Sequence, residues 1–199
     1  MTKGLPFQGD SRATQELFGP GAGSRFNVSL DTFGHGFLVY ADGYKRAGDT
    51  VVQNLLGSDK QVLVFPACYL YRHYLELMIK GLTLLANVIL SKEAVYSTHH
   101  KLMDLWAVCR PLLEKAMPQC SNEGFGSVGK CVEGFASFDF EGEFFRYPEN
   151  RSRGPWQQSV ERINLQGMRD AVSNAAELLD SYYLEMNSLL EHRAETAEP

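Results

Sequence analysis

Apolar residues recur at steps of three and four along most of the chain, which is the period of an α-helix with one buried face. A first helix is predicted from about Phe33 to Leu56, and a second from about Pro66 to Leu90. A third is predicted from about His100 to Met117, because its apolar residues keep the same period. Proline interrupts helical hydrogen bonding, so Pro111 should kink this helix and Pro118 should end it.

The second half of the chain predicts two more helices separated by irregular segments. Residues 119–127 contain two glycines and read as a loop, which leads into a short fourth helix from Val128 to Phe135. Residues 138–160 read as turns, extended chain and an exposed loop. A long last helix is predicted from Asn164, a residue type that caps helix N-termini well. No stretch alternates at period two for long enough to form a sheet, so the fold class is all-α.

The same pattern divides the chain into three parts. Residues 1–30 are rich in glycine, proline and serine and lack a helical period, so we expect a flexible, irregular N-terminal arm. Residues 31–192 carry the four or five helices of a single bundle domain, and 193–199 form an acidic tail. A chain of 199 residues can bury a sizeable core as one domain.

Composition excludes several classes of function. The formal net charge of −5 excludes a globally basic nucleic-acid-binding surface, although a local basic patch is compatible with it. No apolar run approaches the ~20 residues of a transmembrane helix, and Met1–Asp10 lacks the features of a secretory signal. We therefore expect a cytoplasmic protein without a membrane partner. The four cysteines are too widely spaced for a metal site and should be reduced, packed thiols: Cys68, Cys109, Cys120 and Cys131.

The second predicted helix carries the most informative polar pattern. Arg72, Glu76 and Lys80 are spaced four residues apart and therefore share one helix face, with His73 beside them. On an exposed surface each ion pair at this spacing is worth only roughly 0.2–0.5 kcal/mol. Because apolar helices flank this one on both sides in the sequence, we expect it to be central, with its charges partly enclosed and paired.

His100 stands just before the third predicted helix. Alone, such a histidine is more often a capping or packing residue than a catalyst. It becomes a candidate for proton transfer if the bundle brings it beside Arg72 and Glu76, and Arg72 or Lys80 could then neutralise a phosphate. We refer to five residues as the charged cluster: Arg72, His73, Glu76, Lys80 and His100.

A second basic region follows the fourth predicted helix. Two phenylalanines should anchor the loop that contains Arg146 and Tyr147. Arg146 either pairs locally with Glu141 or Glu143, or points with Tyr147 into the charged cluster. Three further arginines read either as a solvated loop or as contacts to an RNA backbone: Arg151, Arg153 and Arg162. Phosphate-binding-loop, dinucleotide, hydrolase and zinc-protease motifs are absent, so we expect neither a cofactor nor a metal.

The ordered set of these motifs resembles the HEPN superfamily of small helical bundles. The resemblance spans roughly residues 33 to 190 and is strongest in the Phe65–Lys80 string. The other matching pieces are Tyr44–Gly48, His100–Leu102, Leu105–Trp106 and Phe145–Pro148. It implies a four- or five-helix bundle that pairs as a homodimer and works in a bacterial stress, toxin–antitoxin or phage-defence system, with RNA, a nucleotide or an operon-encoded protein as partner.

The sequence departs from the nuclease branch of that superfamily. That branch carries an arginine followed, after four to six residues, by a histidine on one helix, whereas here Arg72 is directly followed by His73. The first hypothesis is therefore a non-catalytic RNA- or nucleotide-binding module in which the charged cluster is a buried network or grips a phosphate. The alternative is a metal-independent endoribonuclease with His100 or His73 as general base, Arg72 and Lys80 stabilising the phosphorane-like charge, and Arg146 holding the backbone. Both hypotheses stay open at this point.

Overall fold

The regular structure of the protein is helical throughout the part that can be described. The computed structural model describes residues 36–156 and 162–197, and within these ranges there is no β-strand, which confirms the all-α class. The predicted arm, residues 1–30, lies outside them. In the described residues a 3-10 turn, Gln61–Leu63, precedes the second of five helices: α1 Phe37–Leu55, α2 Val64–Ile89, α3 Leu102–Ala116, α4 Asn122–Phe138 and α5 Leu165–Ala197.

Helix α2 lies at the centre of the bundle. It contacts α1, α3 and α5, and sixteen of its 26 residues are buried. Burial around most of its circumference explains why its apolar residues do not form one clean stripe. Pro66 lies in its first turn, where the missing N–H has no helical partner to lose, as predicted. The predicted central position of this helix is therefore confirmed.

Helices α1 and α2 approach each other closely at one glycine. A Cβ on Gly48 would lie 2.7 Å from two ring atoms of Tyr71, so a larger residue would separate the helices. The hydroxyl of Tyr71 donates a hydrogen bond of 2.7 Å to Asp49. The buried residues of α1 are Ala41, Gly48, Val52 and Leu55, whereas Tyr40 and Ala47 are exposed.

The prediction for the fourth helix was wrong in its first half. Residues 122–127, predicted as part of a loop, form the start of α4, and the hydroxyl of Ser121 caps it by accepting a hydrogen bond from the Gly124 N–H at 3.2 Å. A Cβ on Gly124 would lie 2.5 Å from the hydroxyl oxygen of Tyr182 on α5. Glycine therefore serves close helix packing here and does not mark a loop.

The helix boundaries next to the candidate site follow the sequence more closely. Helix α3 begins at Leu102, two residues after His100, and contains Pro111. Asn164 caps α5 as predicted, because its side-chain oxygen accepts a hydrogen bond of 3.0 Å from the Gly167 N–H. Helix α5 continues to Ala197, into the segment predicted as the acidic tail. None of the helices in the described residues combines the length and apolarity needed to cross a bilayer.

Candidate functional site

Arg72 is the buried centre of the charged cluster, with 1% of its surface exposed. Its Nη1 donates a hydrogen bond of 3.1 Å to Glu76, and its Nη2 donates to the backbone carbonyl of His100. Its Nε lies 3.1 Å from Oδ2 of Asp139, an ion pair whose angle is not that of a hydrogen bond. One guanidinium thus connects α2 to the residues before α3 and to the end of α4.

Gly142 covers the guanidinium of Arg72. Its backbone has a φ of +82°, and a Cβ at this position would lie 2.7 Å from Nη2 and 3.0 Å from Cζ of Arg72. Both observations require glycine, because side chains disfavour the left-handed region and the space is filled. The carbonyl of Gly142 accepts a hydrogen bond of 2.7 Å from Nε of Arg146. Gly142 therefore separates the two arginines and contacts both.

Asp139 belongs to the cluster but was missed in the sequence. It is 2% exposed, and its Oδ1 accepts a hydrogen bond of 2.9 Å from the Phe144 N–H. Its negative charge compensates that of Arg72, as a buried cation requires. The only sequence signal is an acidic residue between Phe138 and Phe140 at a helix end, and the nearby Glu141 and Glu143 look the same.

Glu76 accepts hydrogen bonds on both carboxylate oxygens. Lys80 Nζ and His100 Nδ1 lie 2.8 Å and 2.7 Å from Oε1, and Arg72 occupies Oε2. Burial by itself would raise the pKa of this carboxyl. The hydrogen bonds from Lys80 and His100 outweigh burial and hold the pKa of Glu76 below its ordinary value. Glu76 is therefore an ionised, fully engaged carboxylate, and the predicted enclosure of the helix charges is observed.

His100 is anchored by one ring nitrogen and open at the other. Because an ionised carboxylate can only accept hydrogen bonds, His100 Nδ1 must carry the proton that it shares with Glu76. The side chain is nonetheless 59% exposed. In the neutral ring Nε2 is then an unprotonated acceptor, in the arrangement that a carboxylate gives to a basic histidine. The bundle brings His100 beside Arg72 and Glu76, which was the condition for its candidacy.

His73 lies at the edge of the cluster. Its Nδ1 is 3.9 Å from Oε2 of Glu76, too far for a hydrogen bond. Its ring stacks with that of Tyr69 at 5.6 Å and meets the ring of Tyr44 edge-on at 4.4 Å. Burial lowers the pKa of His73, so the ring is neutral over a wider pH range than a free histidine. His73 is therefore well positioned to make aromatic contacts and poorly positioned to exchange a proton with Glu76.

The rings around His73 continue into a row of aromatic and basic side chains. Arg146 Cζ lies 5.8 Å from the ring centre of Tyr69 and 5.4 Å from that of Tyr147, within cation–π distance of both. Within the described residues no carboxylate lies within salt-bridge distance of Arg146, because Glu141 pairs with Lys101 and Glu143 with Arg151. The hydrogen bond from Arg151 and, at longer range, the charge of Arg146 lower the pKa of Glu143. We call this row the aromatic strip: Tyr44, His73, Tyr69, Arg146 and Tyr147.

The other predicted phosphate-binding arginines lie in a different setting. Arg151 Nε donates a hydrogen bond of 2.7 Å to Glu143, and the side chain of Arg151 is 75% exposed while that of Glu143 is 15% exposed. Arg153 lies in a turn, where its backbone N–H donates a hydrogen bond of 2.9 Å to the carbonyl of Asn150. Arg162 lines a separate cavity. Of this set, Arg146 is connected to the charged cluster through Gly142 and Tyr69, and Tyr147 contacts Arg146.

The candidate site contains no metal-binding constellation. In residues 36–156 and 162–197 no group of three or more histidine, cysteine, aspartate or glutamate side chains could hold a metal ion. Burial raises the pKa of Cys68, Cys109 and Cys131 to about 12, so these thiols are protonated at neutral pH.

Comparisons of the chain with protein-family models, curated proteins and solved structures gave no match.

Proposed function

We propose that the protein is a HEPN-like module that binds RNA or a nucleotide, and that the aromatic strip together with His100 is its binding surface. The observation that carries the proposal is the position of Arg146, which lies against the rings of Tyr69 and Tyr147 and forms no salt bridge with a carboxylate of the described residues. Tyr147 is 54% exposed, so a ligand can reach this end of the strip.

The strip supplies the two contacts that unpaired nucleotides require. Nucleobases stack on aromatic rings and on guanidinium planes, with each stacked base worth about 1–3 kcal/mol. The guanidinium also provides charge-assisted hydrogen bonds to phosphate oxygens. Because the chain as a whole is acidic, with a net charge of −5, such a local site is favoured over binding through a broad basic surface.

The buried charges of the cluster hold the proposed binding surface in position and do not themselves contact the ligand. The three donor groups of Arg72 face Glu76, Asp139 and the carbonyl of His100, and Lys80 is 5% exposed. A phosphate could reach these cations only by displacing partners that they need while buried. The network therefore serves to fix the loop of Arg146 and the ring of His100, which favours binding over catalysis.

Binding to single-stranded RNA oligonucleotides, followed by fluorescence anisotropy, tests the proposal. We expect Tyr69→Leu and Arg146→Ala each to weaken binding at least about fivefold, the lower end for one stacked base. Arg110→Ala removes an arginine that already pairs with Glu114 on α3, and it should bind like the wild type. No RNA or nucleotide binding by the folded wild type, or equal losses in all three variants, would refute the proposal.

The second candidate, a metal-independent endoribonuclease, is favoured by the hydrogen bond that holds His100 on Glu76. In this reaction His100 Nε2 takes the proton of a ribose 2′-hydroxyl, and the 2′-oxygen attacks the adjacent phosphorus. The bond from phosphorus to the 5′-oxygen breaks, and that oxygen takes a proton from solvent. The products are a 2′,3′-cyclic phosphate and a 5′-hydroxyl. Arg146 would stabilise the charge of the transition state.

RNA cleavage in the presence of a chelator separates the two candidates. Cleavage by the wild type that His100→Gln abolishes, with RNA binding retained, would establish the endoribonuclease. Binding without cleavage across several RNAs would support the binding module. The homodimer, an operon-encoded protein partner and a role in bacterial stress or phage defence stay predictions of the resemblance, and light scattering of the purified protein measures the first of them.

A further inference from the structure

A second concave region lies apart from the aromatic strip. A cavity of about 270 Å³ opens between α4, the start of α5 and the first turns of α2. Its volume is close to the lower end of ligand pockets, which span about 300–1,000 Å³. The walls are mostly apolar, with six side chains making the largest part: Cys68, Cys131, Phe135, Phe138, Phe145 and Met168.

The apolar walls exclude a polar occupant from the interior. Cys68 and Met168 are in sulfur contact at 3.6 Å, and the thiol of Cys68 stays protonated because burial raises its pKa to about 12. A cavity lined in this way offers water too few hydrogen-bonding partners and favours an apolar group. Thiol and thioether side chains also adapt to an irregular occupant.

The rim of the cavity carries positive charge. Lys130 on α4 and Arg162, two residues before the N-cap of α5, are both exposed and line the cavity. No aspartate or glutamate lines it, and neither cation lies within salt-bridge distance of a carboxylate in the described residues. The backbone at the start of α5 adds to the preference for negative charge. In a chain with a net charge of −5, this rim differs in sign from the protein as a whole.

We propose that this cavity binds an amphiphilic carboxylate, with its hydrocarbon body inside and its carboxylate at Lys130 and Arg162. Burial of the methylenes of the ligand provides affinity, and the two cations provide the selection for an anion. The cavity shares no residue with the aromatic strip, and the inference therefore stands independently of RNA binding.

Calorimetric titration of the protein tests the charge argument. The ligands are decanoate, decanol and decyltrimethylammonium, each used below its micelle concentration. Decanoate should bind roughly twofold to thirtyfold more tightly than decanol, the range for two exposed ion contacts, and the cation should bind most weakly. The double variant Lys130→Gln with Arg162→Gln should lose this preference and keep its affinity for decanol. Equal binding of decanoate and decanol by the wild type would overturn the proposal.

Two glycines of α4 provide a matched steric test. A Cβ on Gly134 or on Gly126 meets no other atom within 4 Å, so a side chain can begin at both positions without a clash, but only Gly134 lines the cavity. Gly134→Leu should abolish decanoate binding, while Gly126→Leu should bind as the wild type does. Unchanged binding in Gly134→Leu would place the ligand elsewhere and refute the site, as would no binding of decanoate by the wild type. Tyr69→Leu, which we expect to weaken RNA binding, should leave the affinity for decanoate unchanged.

Discussion

Replacing Gly142 by alanine should destabilise the protein much more than the same replacement at Gly57. Both glycines lie outside helices with nearly the same backbone, at φ values of +82° and +81°. A Cβ on Gly57 would meet no atom within 4 Å, whereas one on Gly142 would meet three atoms of the Arg72 guanidinium between 2.7 and 3.1 Å. Gly57 thus isolates the backbone effect, and the difference between the two variants reports the contact with Arg72.

The magnitude follows from these distances. Alanine in the left-handed region costs about 1–2 kcal/mol, which is the whole effect expected at Gly57. At Gly142 the methyl group must also withdraw by about 0.7 Å to reach an ordinary 3.4 Å contact with Nη2. The guanidinium cannot yield freely, because Glu76, Asp139 and the His100 carbonyl hold it. Overpacking of this kind costs a further 1–3 kcal/mol or so, which brings the expected loss at Gly142 to about 2–5 kcal/mol.

Urea unfolding followed by circular dichroism measures both variants. The midpoint should fall clearly further for Gly142→Ala than for Gly57→Ala, at similar m-values. Because the Gly142 carbonyl bonds Arg146, the same variant should also weaken RNA binding if the proposed surface is correct. Equal loss of stability in the two variants would refute the tight contact between Gly142 and Arg72 and, with it, the account of how the loop is held.

Three further predictions concern stability and reactivity. Asp139→Asn keeps an acceptor for the backbone but removes the charge that faces the buried guanidinium, so denaturant unfolding should show a loss of about 3 kcal/mol; Glu141→Gln, at an exposed ion pair, should lose less than about 1 kcal/mol. The pKa of His73 and that of Glu76 both lie below their ordinary values, so the unfolded chain binds more protons and acid destabilises the fold. The urea midpoint should therefore fall as the pH drops below about 6.5 and again below about 4.5, the ordinary values of the two groups, and His73→Gln should abolish the first fall. Ellman's reagent should modify Cys120 first, because the other three thiols are buried; a second thiol that reacts as fast would contradict the burial.

The sequence predicts the helical line of the site well and its tertiary partners poorly. The four-residue spacing places Arg72, Glu76 and Lys80 on one face by helix geometry alone, and the apolar segments on either side predict that this face is enclosed. The approach of His100 depends on the chain between α2 and α3, for which periodicity gives no distance. From the sequence, the approach of His100 could therefore be stated only as a condition for function. The structure shows this approach as a 2.7 Å contact between His100 and Glu76.

Asp139 and the first half of α4 were missed for a common physical reason. Each residue type has an average structural preference that can be read from the sequence, but packing in a particular fold can override that preference. The acidic segment after α4 looks solvated, yet Asp139 turns inward because Arg72 needs a counter-charge. Gly124 looks like a loop residue, yet it lies in a helix, and it is glycine because the Tyr182 hydroxyl leaves no room for a side chain. Neither partner is near in sequence, so no local pattern could reveal them.

The three-way connection made by Arg72 has a consequence for the time course of folding. Its contact with the His100 carbonyl spans 28 residues, and the one with Asp139 reaches further along the chain. Contacts of such long range form only after several segments have been brought together against chain entropy. If they form after the rate-limiting step, weakening them leaves refolding unchanged and accelerates unfolding. Weakening the contacts of Arg72 would then shorten the lifetime of the native state without slowing its formation.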